Sequence, residues 1–121
     1  MARLFLAVWP PQDVTAAIDE IPRRDEVGVR WVAPQAWHIT LRFLGDADPA
    51  EVDACLEGLS LPPAEAALGP AVSHLGRSVI VVPVQGLDEL AATVEAATAD
   101  VGSIDDSRPF VGHLTLARLR N

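Results

Sequence analysis

Trp37-His38-Ile39-Thr40-Leu41-Arg42-Phe43-Leu44-Gly45 (WHITLRFLG) reads as a buried strand that carries a histidine and a threonine two residues apart. A second stretch, Gly112-His113-Leu114-Thr115-Leu116-Ala117-Arg118 (GHLTLAR), repeats the phrase His-apolar-Thr-Leu. The chain has three histidines, and two of them sit in these phrases, one in each half. Successive side chains of a strand point to opposite faces. His38 and Thr40 therefore share one face, while Ile39 and Leu41 share the other and can pack into a core. His113 and Thr115 share a face in the same way, with Leu114 and Leu116 behind them. If the two strands lie side by side, two imidazoles and two hydroxyls point into one cleft. A lone strand histidine is ordinarily a half-buried structural residue, and His74 is read that way. Two histidines in one repeated phrase call for more.

The rest of the chain sets these strands in an alternating order. Arg3 to Trp9 (RLFLAVW), stopped by Pro10-Pro11, reads as a buried strand. Val14, Ala17, Ile18 and Ile21 have helical spacing, with Asp13 as N-cap and Pro22 as the stop. Val29 to Val32 is a short strand, Pro34 marks a turn, and Trp37 to Leu44 is the first motif's strand, closed by Gly45-Asp46. Asp48-Pro49 opens a helix, cap then first turn, that runs to about Leu59. Glu65 to Leu75 holds a strand or two. Ser78 to Val84, rich in β-branched residues, is a buried strand, and Asp88 to Asp100 is a helix ended by Gly102. Ser103 to Pro109 is a polar loop, and Phe110 to Arg118 is the last strand. The order β-α-β-β-α-(β)-β-α-β, with a motif in each half, is that of two similar lobes within one domain over residues 1–121.

With 121 residues, half of them hydrophobic, the chain can bury a core. The single cysteine, Cys55, builds no disulfide framework and fits a reducing, cytoplasmic setting. The apolar run Leu4 to Trp9 is too short for a signal peptide, and no stretch approaches the roughly 20 apolar residues of a membrane span. The net charge of −8 is a poor footprint for gripping long nucleic acid. It leaves room for a local positive pocket. All nine basic residues are arginines, whose planar fork of donors matches phosphate oxygens; base composition alone can also produce such a set.

Two imidazoles and two hydroxyls suit a phosphodiester. One ring takes a proton from water while the other gives one to the leaving oxygen. The threonine hydroxyls donate to the non-bridging oxygens, where charge builds up. No metal or other cofactor is needed in such a scheme, and metal-ligand spacings such as His-x-His or Cys-x-x-Cys are missing from the sequence.

With both motifs in this context, the sequence resembles the two-histidine phosphoesterase superfamily. Within it, the likeness is to the RNA 2′,3′-cyclic phosphodiesterase family, also called the 2′-5′ RNA ligase family. The likeness rests on His38-Ile39-Thr40-Leu41 and His113-Leu114-Thr115-Leu116, and on the surroundings RLFLAVWPP, RWVAPQAWHITLRFLGD and RPFVGHLTLAR. It implies a bilobal α+β, LigT-like fold, with two antiparallel sheets facing a central cleft and helices outside. It implies metal-free hydrolysis of an RNA or nucleoside 2′,3′-cyclic phosphate to a 2′-phosphate. His38 would give the proton to the departing 3′-oxygen, His113 would activate water, and Thr40 and Thr115 would hold the phosphate. The family also has an aromatic residue near the base, here Phe43, and an arginine near the phosphate, here Arg118. Strand parity disagrees: it puts Arg42 and Ala117 on the histidine faces, so Arg42 is a rival phosphate contact unless a bulge intervenes.

The family usually continues well past the second motif, whereas this chain stops five residues after Leu116. Missing C-terminal strands would leave the second motif's strand with an open edge, at which a second copy could pair as a homodimer. The expected ligands are RNA ends or nucleotides bearing a cyclic phosphate. The competing readings are a non-catalytic nucleotide- or RNA-end-binding module and 2′-5′ RNA ligation by the same acid–base pair.

Overall fold

A computed structural model describes residues 2–103 and 109–120. In chain order they form β1 (Ala2–Val8), α1 (Gln12–Asp19), β2 (Val29–Trp31), a 3-10 turn (Pro34–Ala36), β3 (Ile39–Ala47), α2 (Pro49–Leu56), β4 (Ala67–Leu68), β5 (Ser73–Leu75), β6 (Val79–Gln85), α3 (Asp88–Ala97) and β7 (His113–Leu119). The class is α+β, with an antiparallel sheet and three helices. The two expected sheets are linked into one hydrogen-bonded network in the order β1-β3-β7-β6-β4, with β2 on β7 and β5 on β6. One half is the β1–β3 ladder, from Ala2 opposite Ala47 to Val8 opposite Ile39. The other is built on the β6–β7 ladder. They meet where Ile39 of β3 lies opposite Leu114 of β7.

The strand of the second motif is interior. β6 flanks β7 on one side, and on the other Val29, Arg30 and Trp31 of β2 pair with Leu119, Arg118 and Ala117. This corrects the expectation of an open edge there: the short strand ahead of the first motif fills it.

Several boundaries also differ from the sequence pattern. β3 begins at Ile39 rather than Trp37 because the preceding 3-10 turn still holds the chain. Trp37 donates its backbone N–H to Pro34 O at 3.2 Å and its indole N–H to Val32 O at 3.1 Å. β3 then runs through Gly45-Asp46 to Ala47 instead of closing there. Phe5 faces Phe43 and Leu4 faces Gly45, so Leu44 is an extra residue, and Gly45 takes up the kink with φ of +70°. Asp13 lies inside the first turn of α1 and is not its cap; Pro11 holds the cap position without a side-chain bond. α1 ends at Asp19, ahead of Pro22, as Glu20 and Ile21 turn their N–H groups to carbonyls three residues back. Asp48 caps α2 as expected, its Oδ1 accepting from Ala50 N at 3.0 Å. α2 stops at Leu56, short of Leu59, and α3 stops at Ala97, with Thr98 as C-cap. The expected polar loop over Ser103–Pro109 lies, from 104 to 108, outside the described residues.

Two apolar clusters sit behind the sheet. Ile39, Leu114, Leu116, Val82 and Val84 pack with Trp37, with Ile18 of α1 and with Leu87 ahead of α3. Leu44 and Ala47 pack with Val52 of α2. Among the described residues, no helix is long and apolar enough to cross a membrane.

Candidate active site

Ile39 and Leu114 are 2% and 0% exposed, so both motifs turn their apolar residues into the core. His38, Thr40, His113 and Thr115, each partly exposed, take the opposite face. Continuing the antiparallel register one residue each way from the Ile39–Leu114 pair sets Thr40 across from His113 and His38 across from Thr115. A local twofold relation therefore carries one motif onto the other.

The histidines repeat that relation in their hydrogen bonds. His38 Nδ1 lies 2.7 Å from Ala36 O, and His113 Nδ1 lies 2.7 Å from Val111 O. Each acceptor is the carbonyl two residues upstream. A carbonyl oxygen only accepts, so each Nδ1 carries the proton and donates it. In the neutral ring the lone pair is then at Nε2; in the charged ring Nε2 carries a second, transferable proton. One bond thus fits either ring for proton uptake or proton release. Gly112 supports His113 from below. Its carbonyl accepts from Val84 N at 2.9 Å, and a Cβ added at Gly112 would collide with Val84 O. Only glycine lets β7 seat this closely against β6 just ahead of the histidine.

Bulges decide which side chains join each threonine on its face. Ala7 lies opposite Thr40 and Leu6 opposite Arg42, which leaves Leu41 extra. Ala7 and Phe5 share a face of β1, so their partners Thr40 and Phe43 share a face of β3. On β7, Val81 lies opposite Thr115 and Ile80 opposite Ala117, which leaves Leu116 extra. Val81 and Val79 share a face of β6, so Thr115 and Arg118 share a face of β7. The extra residue is the fourth of the motif both times. Phe43 and Arg118 thereby join the histidine faces, and Arg42 and Ala117 leave them. Arg42 Nη2 donates to Thr98 O at 3.3 Å, at the C-terminus of α3, and Ala117 is fully buried.

Beyond the Ile39–Leu114 pair the two strands part. The gap holds a cavity of about 460 Å³, lined among others by Thr40, Arg42, Phe43, Glu95, Phe110 and His113. On the other flank of His38, sequence reasoning missed two aromatic neighbours. The His38 ring centroid is 5.0 Å from that of Phe5 and 5.1 Å from that of Trp9, and Phe5 lies 6.1 Å from Phe43. Phe5, Trp9 and Phe43 are 44%, 58% and 55% exposed. Exposed aromatic rings beside a polar pair offer faces on which a nucleobase can stack. The RLFLAVW stretch reads as uniformly buried, and only its pairing with β3 reveals which rings reach the site. Among the described residues no three His, Cys, Asp or Glu side chains converge as a metal site would require. His74 is exposed on β5, opposite Ile80.

Comparison with known proteins converges on one group. Residues 8–69 match the family model described as LigT-like phosphoesterase. An RNA 2′,3′-cyclic phosphodiesterase from Geobacillus stearothermophilus is 34% identical over 99 residues, which cover 73% of this chain and 32% of the relative. The match thus spans about a third of that protein's length. A crystal structure described as a phosphoesterase superposes with a TM-score of 0.77 at 28% identity, over 96% of this chain and 72% of the other. E. coli LigT complexed with 3′-AMP gives 0.73 at 28% identity, again over 96% and 72%. The same protein complexed with NADP+ gives 0.73 at 28% identity over 96% and 71%.

Proposed function

The chain belongs to the LigT-like phosphoesterase family, and from that premise we propose that it hydrolyses a nucleoside or RNA 2′,3′-cyclic phosphate to the 2′-phosphate with the paired motifs as its catalytic centre. The observation that carries this reading is the antiparallel pairing of the motifs together with the matched Nδ1-to-carbonyl bonds of His38 and His113. The relative from Geobacillus stearothermophilus, named for that reaction, adds support.

In the proposed reaction water attacks phosphorus as the bond to the 3′-oxygen breaks. His113 is neutral at the start, its Nδ1 proton committed to Val111 O, and Nε2 takes a proton from the attacking water. His38 is charged at the start, and Nε2 gives its proton to the departing 3′-oxygen. One proton enters the pair and one leaves it, so the pair ends with its charge exchanged and is reset through solvent. Thr40 and Thr115 donate to the non-bridging oxygens as their charge grows. Arg118, on the Thr115 face, adds positive charge, and Phe43 with Phe5 and Trp9 takes the base. Arg42 borders the same cavity, but its Nη2 is given to Thr98 O, so in this scheme it holds the end of α3. The same steps with a ribose 5′-hydroxyl in place of water give 2′-5′ ligation, and run backwards they cleave the 2′-5′ bond.

The test is product analysis after incubation with 2′,3′-cyclic AMP in EDTA, beside the His38→Ala variant. 2′-AMP from the wild type and none from the variant is the expected result. Binding of the nucleotide by the folded wild type with no product would replace the enzyme by a nucleotide-binding module, a reading that the 3′-AMP and NADP+ complexes of E. coli LigT keep open.

A further inference from the structure

Arg30 takes no part in the proposed chemistry, yet the register of β2 on β7 places it directly opposite Arg118. Its neighbours Val29 and Trp31 are half-buried, and Trp31 packs on the main core, opposite the fully buried Ala117. Arg30 therefore points away from the core, to the same face as Arg118, and both are exposed. Like charges directly opposite on adjacent strands are destabilising. Among the described residues no acidic side chain pairs with either arginine: the ion pair there is Arg23–Asp19, and Asp25 and Glu26, in the connection ahead of β2, bridge to neither. Arg120, two residues past Arg118, adds a further cation at this end and ties its N–H to Gly28 O at 2.7 Å. In a chain with a net charge of −8, two arginines set side by side, with no acidic partner among the described residues, concentrate the positive charge that an anion would meet.

Its place relative to the motifs says which anion. The β6 partners of Thr115 and Arg118 are two residues apart, so the arginines sit two ladder steps beyond Thr115, roughly 7 Å along the strand. That displacement is on the scale of one nucleotide. The phosphate being hydrolysed has the threonines, the histidines and the charge of Arg118 around it; Arg30, across from Arg118 on the next strand, is left for the group one step further along the RNA.

Resting on the phosphoesterase reading of the motifs, we propose that Arg30 extends the Arg118 contact into a second subsite. This subsite binds the phosphodiester on the 5′ side of the terminal nucleotide, so an RNA end is preferred over a free nucleotide. Arginine suits the role because its fork spans two oxygens of one phosphate.

Binding, rather than turnover, tests this. Calorimetry would compare a trinucleotide bearing a terminal 2′-phosphate with a nucleoside 2′-phosphate, on the wild type, Arg30→Gln and Arg77→Gln, with Arg77 exposed in the turn between β5 and β6. The wild type and Arg77→Gln should bind the trinucleotide about tenfold more tightly than the mononucleotide, as expected for charge-assisted bonds to one added phosphate. Arg30→Gln should bind the two nearly alike and melt no lower than the wild type. Equal affinities in the wild type, or an undiminished preference in Arg30→Gln, would overturn the subsite. Loss of the preference in Arg77→Gln as well would reduce it to general surface charge and overturn it too. No step of this comparison requires turnover, so an absence of product from 2′,3′-cyclic AMP would count against the hydrolase reading alone.

Discussion

Ile39 lies directly opposite Leu114, and this one pair is the whole ladder between β3 and β7. Both side chains are buried, at 2% and 0% exposure, in the larger core cluster. The histidine and threonine of each motif flank the pair on the other side of the sheet. One apolar contact behind the sheet therefore sets the spacing of four polar groups in front of it.

Leu114→Ala should accordingly cost about 3 kcal/mol of stability, the usual range for a truncated core leucine. Urea unfolding with an unchanged denaturant slope checks this. Activity of the folded variant should fall as well, because the strands lose the contact that registers them.

His38→Ala and His113→Ala should each lower kcat/KM for a 2′,3′-cyclic nucleotide by about 10² to 10⁴, the usual worth of a positioned acid or base. The double variant should be well above the product of the two losses, since residues acting as a unit are not additive. A single variant with wild-type turnover would remove that histidine from the mechanism.

Phe43→Ala and Arg42→Met should separate two neighbours that strand parity alone would interchange. Loss of the Phe43 ring should raise KM about tenfold, near the middle of the range for one stacked base. Arg42→Met should leave KM within about twofold and lower stability by about 1 kcal/mol, through the lost bond to Thr98 O. The opposite pattern would return Arg42 to the phosphate.

Gly112→Ala should lower both stability and turnover, because the new Cβ would collide with Val84 O and push the chain away from β6 beside His113. About 1–3 kcal/mol is expected from such overpacking. Asp48→Ala, at the cap of α2, should cost about 1 kcal/mol with turnover per folded molecule unchanged. A thermal melt and an active-site-normalised rate measure both.

Much of the fold and site was legible in the residues. The repeated His-x-Thr-Leu phrase gives the polar face of each motif, because parity is a local property. The cap at Asp48-Pro49 and the β-branched run before α3 are local as well. What the sequence hides are relations between distant segments. The bulges at Leu41 and Leu116 exist only against the partners β1 and β6, so neither could be read from its own strand, and parity pointed to Arg42 instead of Phe43. β2, three residues long, gives no sign that it borders β7, and the open edge expected there is closed. Phe5 and Trp9 look like core until the β1–β3 register turns them toward His38.

Half a turn about the Ile39–Leu114 pair exchanges the motifs, their carbonyl-held rings and their fourth-residue bulges. Nothing within the motifs then distinguishes acid from base: each is equipped for either part. The distinction has to come from outside the dyad, and the rings of Phe5 and Trp9 crowd His38 alone. Under the proposed function, a base settled among them would orient the ribose, and with it the order in which the two imidazoles act. In the proposed reaction, aromatic residues that touch no proton thus choose which way the protons travel.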